Sequence, residues 1–320
     1  MSEAAKHILH EPEVEALLRQ ELVLGDQALA GVAPVLSHML NRPGQSLISD
    51  DIVACMRGML GDVARQLLLA QSRVSGDRQS SLNQRDAIDA LSERLAGSTT
   101  ILSHCYALAM EGLLAKRLDE ELGLDPVLSP LWQELIASDR EEIAELAMAA
   151  MAAQARFIQA QRRMDLPLDE LPADLFHEVL MNLGRSPQSP GPEVQFSLEA
   201  VLRAEFDEST GRLGLMRRLI GSLNGAASVA LSLDHGGVAL FVTALAHLTR
   251  QPRELAILAC HERQAARLAL SLRAAGLKRA DVARQFMLLH GDFALPEGFD
   301  GLSIDQAASL LATSSVRGAR

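Results

Sequence analysis

SDREEIAELAMAAMAAQARFIQAQRRM, residues Ser138 to Met164, runs without a glycine or a proline and carries the longest uninterrupted helical pattern of the chain. Ser138 followed by Glu141 has the spacing of a capping box, in which hydroxyl and carboxylate each satisfy one free N–H of the first turn. Asp139, Glu141 and Glu142 fall at the positive end of the helix dipole, and Arg162 and Arg163 at the negative end. At 100° per residue Glu141, Glu142, Glu145, Arg156, Gln159 and Arg163 share one arc, and most of the remaining girth is Ala, Met, Ile, Leu and Phe. A helix apolar round so much of its surface, roughly 40 Å long at 1.5 Å per residue, belongs inside a helical domain as its most buried long element.

The rest of the composition agrees. Aromatics make up only 3% of the 320 residues, so Ala and Leu fill the apolar positions, and these favour helix over strand. No run of alternating β-branched residues stands out, and the expected fold class is all-α. Three widely spaced cysteines, Cys55, Cys105 and Cys260, offer neither a disulfide framework nor metal-ligand spacing, which points to a reducing cytoplasm. The N-terminus lacks the continuous apolar core of a signal peptide. The most membrane-like segment, Ala226 to Leu248, is broken by Asp234-His235-Gly236-Gly237 into pieces shorter than the roughly 20 residues of a span.

Charge is unevenly placed. Of the net −11, residues 1–195 carry −13 and residues 196–320 carry +2, which argues against general nucleic-acid affinity in the first part and leaves the second part open. GRSPQSPGPE, Gly184 to Glu193, holds three prolines and two glycines in ten residues and reads as a linker. The expected organisation is an N-terminal helical domain over 1–183 built on helix 139–164, a linker at 184–195, a C-terminal domain of short helical hairpins over 196–313, and a disordered tail at 314–320. Within it, Gly25 is read as a helix end, Pro34 as a bend or interruption of a helix at 26–41, and 252–262 as a helix able to continue to 274.

DVARQLLLAQ at Asp62–Gln71 and DVARQFMLLH at Asp281–His290 share their first five residues, and the blocks 130–183 and 239–290 follow a similar order of helices. The pattern admits a helical duplication. The segment HLTRQPRELAILACHERQAARLALSLRAAGLKRADVARQFMLLHG, with its Gln-Pro-Arg and Ala-Ala-Gly-Leu turns, resembles the C-terminal part of a bacterial all-helical family known mainly from alphaproteobacteria as a domain of unknown function. The resemblance covers residues 236–290; it implies an all-α fold and brings no catalytic residue with it.

Candidate sites are few. Gln154 and Gln161, seven residues apart, fall among apolar positions of the long helix, where an amide is costly unless it is bonded. They read either as polar contacts lining a groove for a partner or, more plainly, as an internal pair satisfied by neighbouring segments. Cys260-His261-Glu262 diverge by 100° per residue on a helix and cannot converge on one atom, so no catalytic residue is assigned. The nine histidines lack ligand spacing, and no metal or cofactor is implied. Asp234-His235-Gly236-Gly237 lacks the strand a phosphate loop requires.

Residues 263–290 have helix-turn-helix proportions around Gly276, with Arg263 and Arg267 on one face of the first helix, Lys278 and Arg279 opening the second, and Arg284 on its outer side. An ordinary helical hairpin with a solvated basic face has the same pattern. The function expected from these features is a non-catalytic cytoplasmic adaptor or regulator, binding another protein through Gln154, Gln161, Arg263, Arg267, Lys278, Arg279 and Arg284. The alternatives are a DNA-binding regulator using 263–290, and a small-molecule binder or enzyme with a pocket between the lobes.

Overall fold

A computed structural model of the chain describes residues 11–41, 50–76, 81–185, 191–291 and 295–314. Among these residues every regular element is helical, and the fold is all-α: α1 (Glu11–Asn41), α2 (Asp50–Ser75), α3 (Ser81–Ala96), α4 (Thr99–Leu122), α5 (Pro130–Ile136), α6 (Glu141–Arg162), α7 (Ala173–Gly184), α8 (Pro192–Glu205), α9 (Arg212–Ser222), α10 (Leu233–Thr249), α11 (Arg253–Ala259), α12 (Ala265–Ala274), α13 (Arg279–His290) and α14 (Ile304–Thr313), with short 3-10 turns between some of them. Contacts group the chain into two compact units. The first takes Met1–Gly31, Leu114–Ala137 and Ile220–Arg320, and the second takes Val32–Leu113 and Ser138–Leu219. The division falls inside α1, α4 and α9. The expected linker at 184–195 lies within the range of the second unit; its residues 186–190, and residues 315–320 of the expected tail, lie outside the described residues, while Pro192 and Glu193 form the first turn of α8.

In the second unit α2 packs against α3 and α8. Its acidic first turn (Asp50, Asp51) and basic last turn (Arg73) complement the dipole, and Ile52, Val53, Met56, Met59, Leu60, Val63 and Leu67 recur at helical spacing on its buried face. The N-terminus of α4 is held by Glu178 of α7, which accepts from Ser98 Oγ at 2.5 Å and Thr100 Oγ1 at 2.6 Å. Phe176 of α7 and Phe206, just past α8, stack with ring centroids 4.0 Å apart.

The faces of α6 are as the periodicity predicts, with Glu141, Glu142, Glu145, Arg156 and Gln159 exposed and Ile143, Ala147, Ala150, Phe157 and Ile158 buried. Its start is not. Ser138 Oγ accepts from the backbone N–H of Arg140 at 3.2 Å, two residues on, which is a local turn that competes with helix, so α6 begins at Glu141 and the capping box does not form. A capping box does form at Ser303 and Gln306, at the start of α14 in the first unit.

The most buried long helix is also not α6 but α10, in the first unit. Every residue from Gly236 to Ala246 is buried, because VALFVTALA offers no charged face to turn outward. Gly237, at φ 68°, breaks the helical geometry inside α10, and a Cβ there would lie 3.2 Å from the Ser129 side chain. Among the described residues no single helix is long and apolar enough to cross a membrane. The 3-10 segment Asn224–Leu231 and α10 reach that length and composition only together, across a bend of 119°.

Neither Gly25 nor Pro34 interrupts α1. Gly25 serves a close approach instead of a helix end: Gln264 Nε2 donates to its carbonyl at 2.7 Å, and a Cβ on Gly25 would lie 2.7 Å from Gln264 Oε1. The helix read as running from 252 toward 274 is broken between α11 and α12 by a 3-10 turn, Glu262–Gln264, whose start is capped by His261 Nδ1 accepting from the Arg263 N–H at 3.2 Å.

Candidate functional site

Among the described residues each unit encloses one fully buried arginine. In the second unit Arg212, at the first position of α9, has no exposed surface. Its Nη1 donates to Glu111 Oε1 of α4 at 2.8 Å and to Gln154 Oε1 of α6 at 3.2 Å, and its Nε donates to Glu170 Oε2 at 3.1 Å. The guanidinium carbon lies 3.5 Å from the centroid of the Phe157 ring, a cation–π contact away from solvent. Two carboxylates surround one cation. For Arg212, burial works against the charged form, yet Glu111 and Glu170 outweigh it and the pKa is raised. For Glu170 burial prevails over the attraction of Arg212, with Asp169 and Glu111 adding repulsion, and the pKa is raised too.

The segment that carries Glu170 is held from a second side. Asp62 Oδ2 accepts from the Leu166 N–H at 3.0 Å, Gln66 Nε2 donates to the Leu166 carbonyl at 2.9 Å, and Gln66 Oε1 accepts from the Leu168 N–H at 3.2 Å. This is the first of the two DVARQ sequences. In the second, in the first unit, Gln285 Oε1 accepts from the Leu233 N–H at 2.9 Å. In both, the glutamine side chain satisfies the backbone of a segment that is distant in sequence.

In the first unit Arg267 of α12 is buried and pairs with Asp26 of α1. Ser314 Oγ accepts from Arg267 Nη2 at 2.8 Å and donates to Asp26 Oδ2 at 2.7 Å. Both buried arginines are paired with carboxylates of their own chain and tie helices together, while Arg267 Nε has no hydrogen-bond partner among the described residues.

The seven residues expected to bind a partner are thus not one surface. Gln154 is buried on Arg212. Gln161 is half-buried, accepting from the Cys55 thiol at 3.6 Å and donating to Met59 Sδ at 3.7 Å. Arg267 is turned inward, so it does not share an outer face with Arg263, which is exposed. Arg279 is half-buried and donates to the carbonyls of Pro296 at 3.2 Å and Leu295 at 3.3 Å. Lys278, at the N-cap of α13, is exposed, and Arg284 stands on the outer side of α13 with 62% of its side chain exposed, paired with Asp234. Met287, one turn beyond Arg284, is 69% exposed. The expected hairpin exists as α12, a turn at Gly276 and α13, and its outer face is Lys278, Arg284 and Met287.

Cys105 and Cys260 are free and buried. Burial pushes the Cys260 and Cys105 thiols up to about 12, and Cys260 is hydrogen-bonded to the Ala256 carbonyl at 3.5 Å. Among the described residues no three His, Cys, Asp or Glu side chains are grouped so as to hold a metal ion.

Sequence reading missed Arg212, Glu111, Glu170 and Asp26. For Asp26 a signal existed: it follows Val14, Leu18 and Leu22 at four-residue steps on the inward stripe of α1. Glu111 likewise falls in register with Leu108, Ala115 and Leu118. No protein-family model, curated protein or solved structure matches the chain.

Proposed function

We propose that this protein is a non-catalytic helical adaptor or regulator that binds another protein through the outer face of α13. The observation that carries this reading is Met287, a large flexible apolar side chain held 69% exposed, three residues from Arg284 on the same helical face, with Lys278 at the head of the helix. Methionine adapts to irregular pockets, and a cationic border round an apolar anchor suits an acidic partner with a hydrophobic recess. Burial of Arg267 and anchoring of Arg279 remove two of the five bases a DNA-reading hairpin would use, and Arg284 is already paired with Asp234.

The test is capture of partners from the native host by the tagged full-length protein, read by mass spectrometry and repeated with Met287→Asp and with Arg284→Glu. A partner bound by the wild type and lost from both variants supports the reading. If every partner is retained by both, this face is merely solvated and the reading fails.

A further inference from the structure

The last turn of α13 is closed by a histidine, His290. Both ring nitrogens of His290 are buried, and among the described residues neither has a hydrogen-bond partner. The ring packs against Phe286 with centroids 5.6 Å apart and planes tilted by 53°. From α4, Arg117 Nη2 donates to the carbonyl of the preceding residue, Leu289, at 2.7 Å. Among the described residues, Arg117, His261 and Glu262 are the charged or titratable groups of other elements that act on the ring.

A neutral imidazole whose two nitrogens are covered in this way leaves one donor and one acceptor unsatisfied; an imidazolium would leave two donors and a full charge without an acceptor, beside a guanidinium. This packing favours the neutral ring over the charged one. We propose that His290 is an acid-sensitive latch on α13: neutral, it keeps the last turn packed with Met287 in place, and protonated, it must leave its site and loosen that turn. The latch stands on the packing of His290 alone, while its consequence, loss of partner binding in acid, rests on the docking reading above.

The electrostatics point the same way. Burial is the largest influence holding His290 below its ordinary 6.5, Arg117 and His261 add to it, and Glu262 opposes. A histidine whose pKa is lower in the folded protein contributes no penalty above the unfolded value, and destabilises increasingly as pH falls from about 6.5 through the folded value.

The experiment follows the full-length protein from pH 7.5 to 5.0 by NMR, reading the His290 ring carbon, the Met287 methyl and amide exchange over 287–291, corrected for intrinsic rates. In the wild type the ring titration, the methyl shift and a tenfold or greater loss of amide protection share one midpoint below 6.5. In His290→Leu the last two are flat with pH. Protection that persists after the ring has titrated, or midpoints that differ, overturns the latch without recourse to any variant; acid loosening retained in a folded His290→Leu overturns it as well. The docking reading fails separately, by partner capture at pH 7.5 that is indifferent to Met287→Asp.

Discussion

Arg212 and Glu111 are 101 residues apart in sequence and form an ion pair at 2.8 Å with essentially no exposure on either side. Neither side chain reaches solvent to exchange a lost partner for water. Removing the cation alone leaves Glu111 and Glu170 buried without the Arg212 guanidinium. Arg212→Ala is expected to cost about 3–5 kcal/mol, measured by urea unfolding. Replacing Arg212, Glu111 and Glu170 together with apolar residues of similar volume is expected to cost far less, because the burial of unpaired charge, not the loss of attraction, sets the single-variant penalty. A single variant that unfolds within 1 kcal/mol of wild type, roughly the size of an ordinary surface substitution, would show that the cluster is hydrated.

Glu170 titrates with the opposite sign to a surface carboxylate. Its pKa is raised in the folded protein, first by burial, so its contribution to stability is complete below the ordinary 4.5 and is lost as pH rises through the folded value. Glu170→Gln is therefore expected to gain on wild type as pH rises from 4.5 toward neutrality, in thermal unfolding across that range. A difference that is constant with pH would mean that Glu170 is ionised throughout.

The two faces of α6 should respond differently. Phe157 is 1% exposed beneath the Arg212 guanidinium, so Phe157→Ala removes packing and the cation–π contact, and about 3–5 kcal/mol is expected. Glu145 is exposed, and Glu145→Ala should shift stability by less than about 0.5 kcal/mol. Similar melting of the two variants would reverse the assignment of faces.

Two glycines on α1 should move stability in opposite directions. A Cβ on Gly25 collides with the Gln264 amide and disrupts its bond to the Gly25 carbonyl, so Gly25→Ala is expected to destabilise by about 1–3 kcal/mol. Nothing lies within 4 Å of a Cβ on Gly31, where Ala gains helix propensity of up to about 1 kcal/mol. Thermal melts of the two variants check this, and a shared sign would remove the close approach as the reason for Gly25.

The intact protein is expected to bind duplex DNA no more tightly than a non-specific background on the order of 10⁻⁴–10⁻⁶ M at physiological salt, since few of its hairpin bases are free to meet phosphates. A salt titration by fluorescence anisotropy tests it; submicromolar, sequence-selective binding would restore the DNA-reading alternative.

Helix was legible in the sequence because its causes are local. The three- and four-residue recurrence of apolar side chains places the faces of α2 and α6, and Gly276 places the turn between α12 and α13. Caps and interruptions were less legible, since Ser138 has a local turn available to it and Gly25 answers to a side chain 239 residues away. The buried arginines were decided by tertiary structure alone. A helical wheel puts Arg263 and Arg267 on one face, but the chain turns through a 3-10 segment before α12, leaving Arg263 in solvent and Arg267 on Asp26. Whether a guanidinium is a surface charge or a core tie depends on a carboxylate brought to it from elsewhere in the chain, because only such a partner offsets the cost of taking the charge out of water.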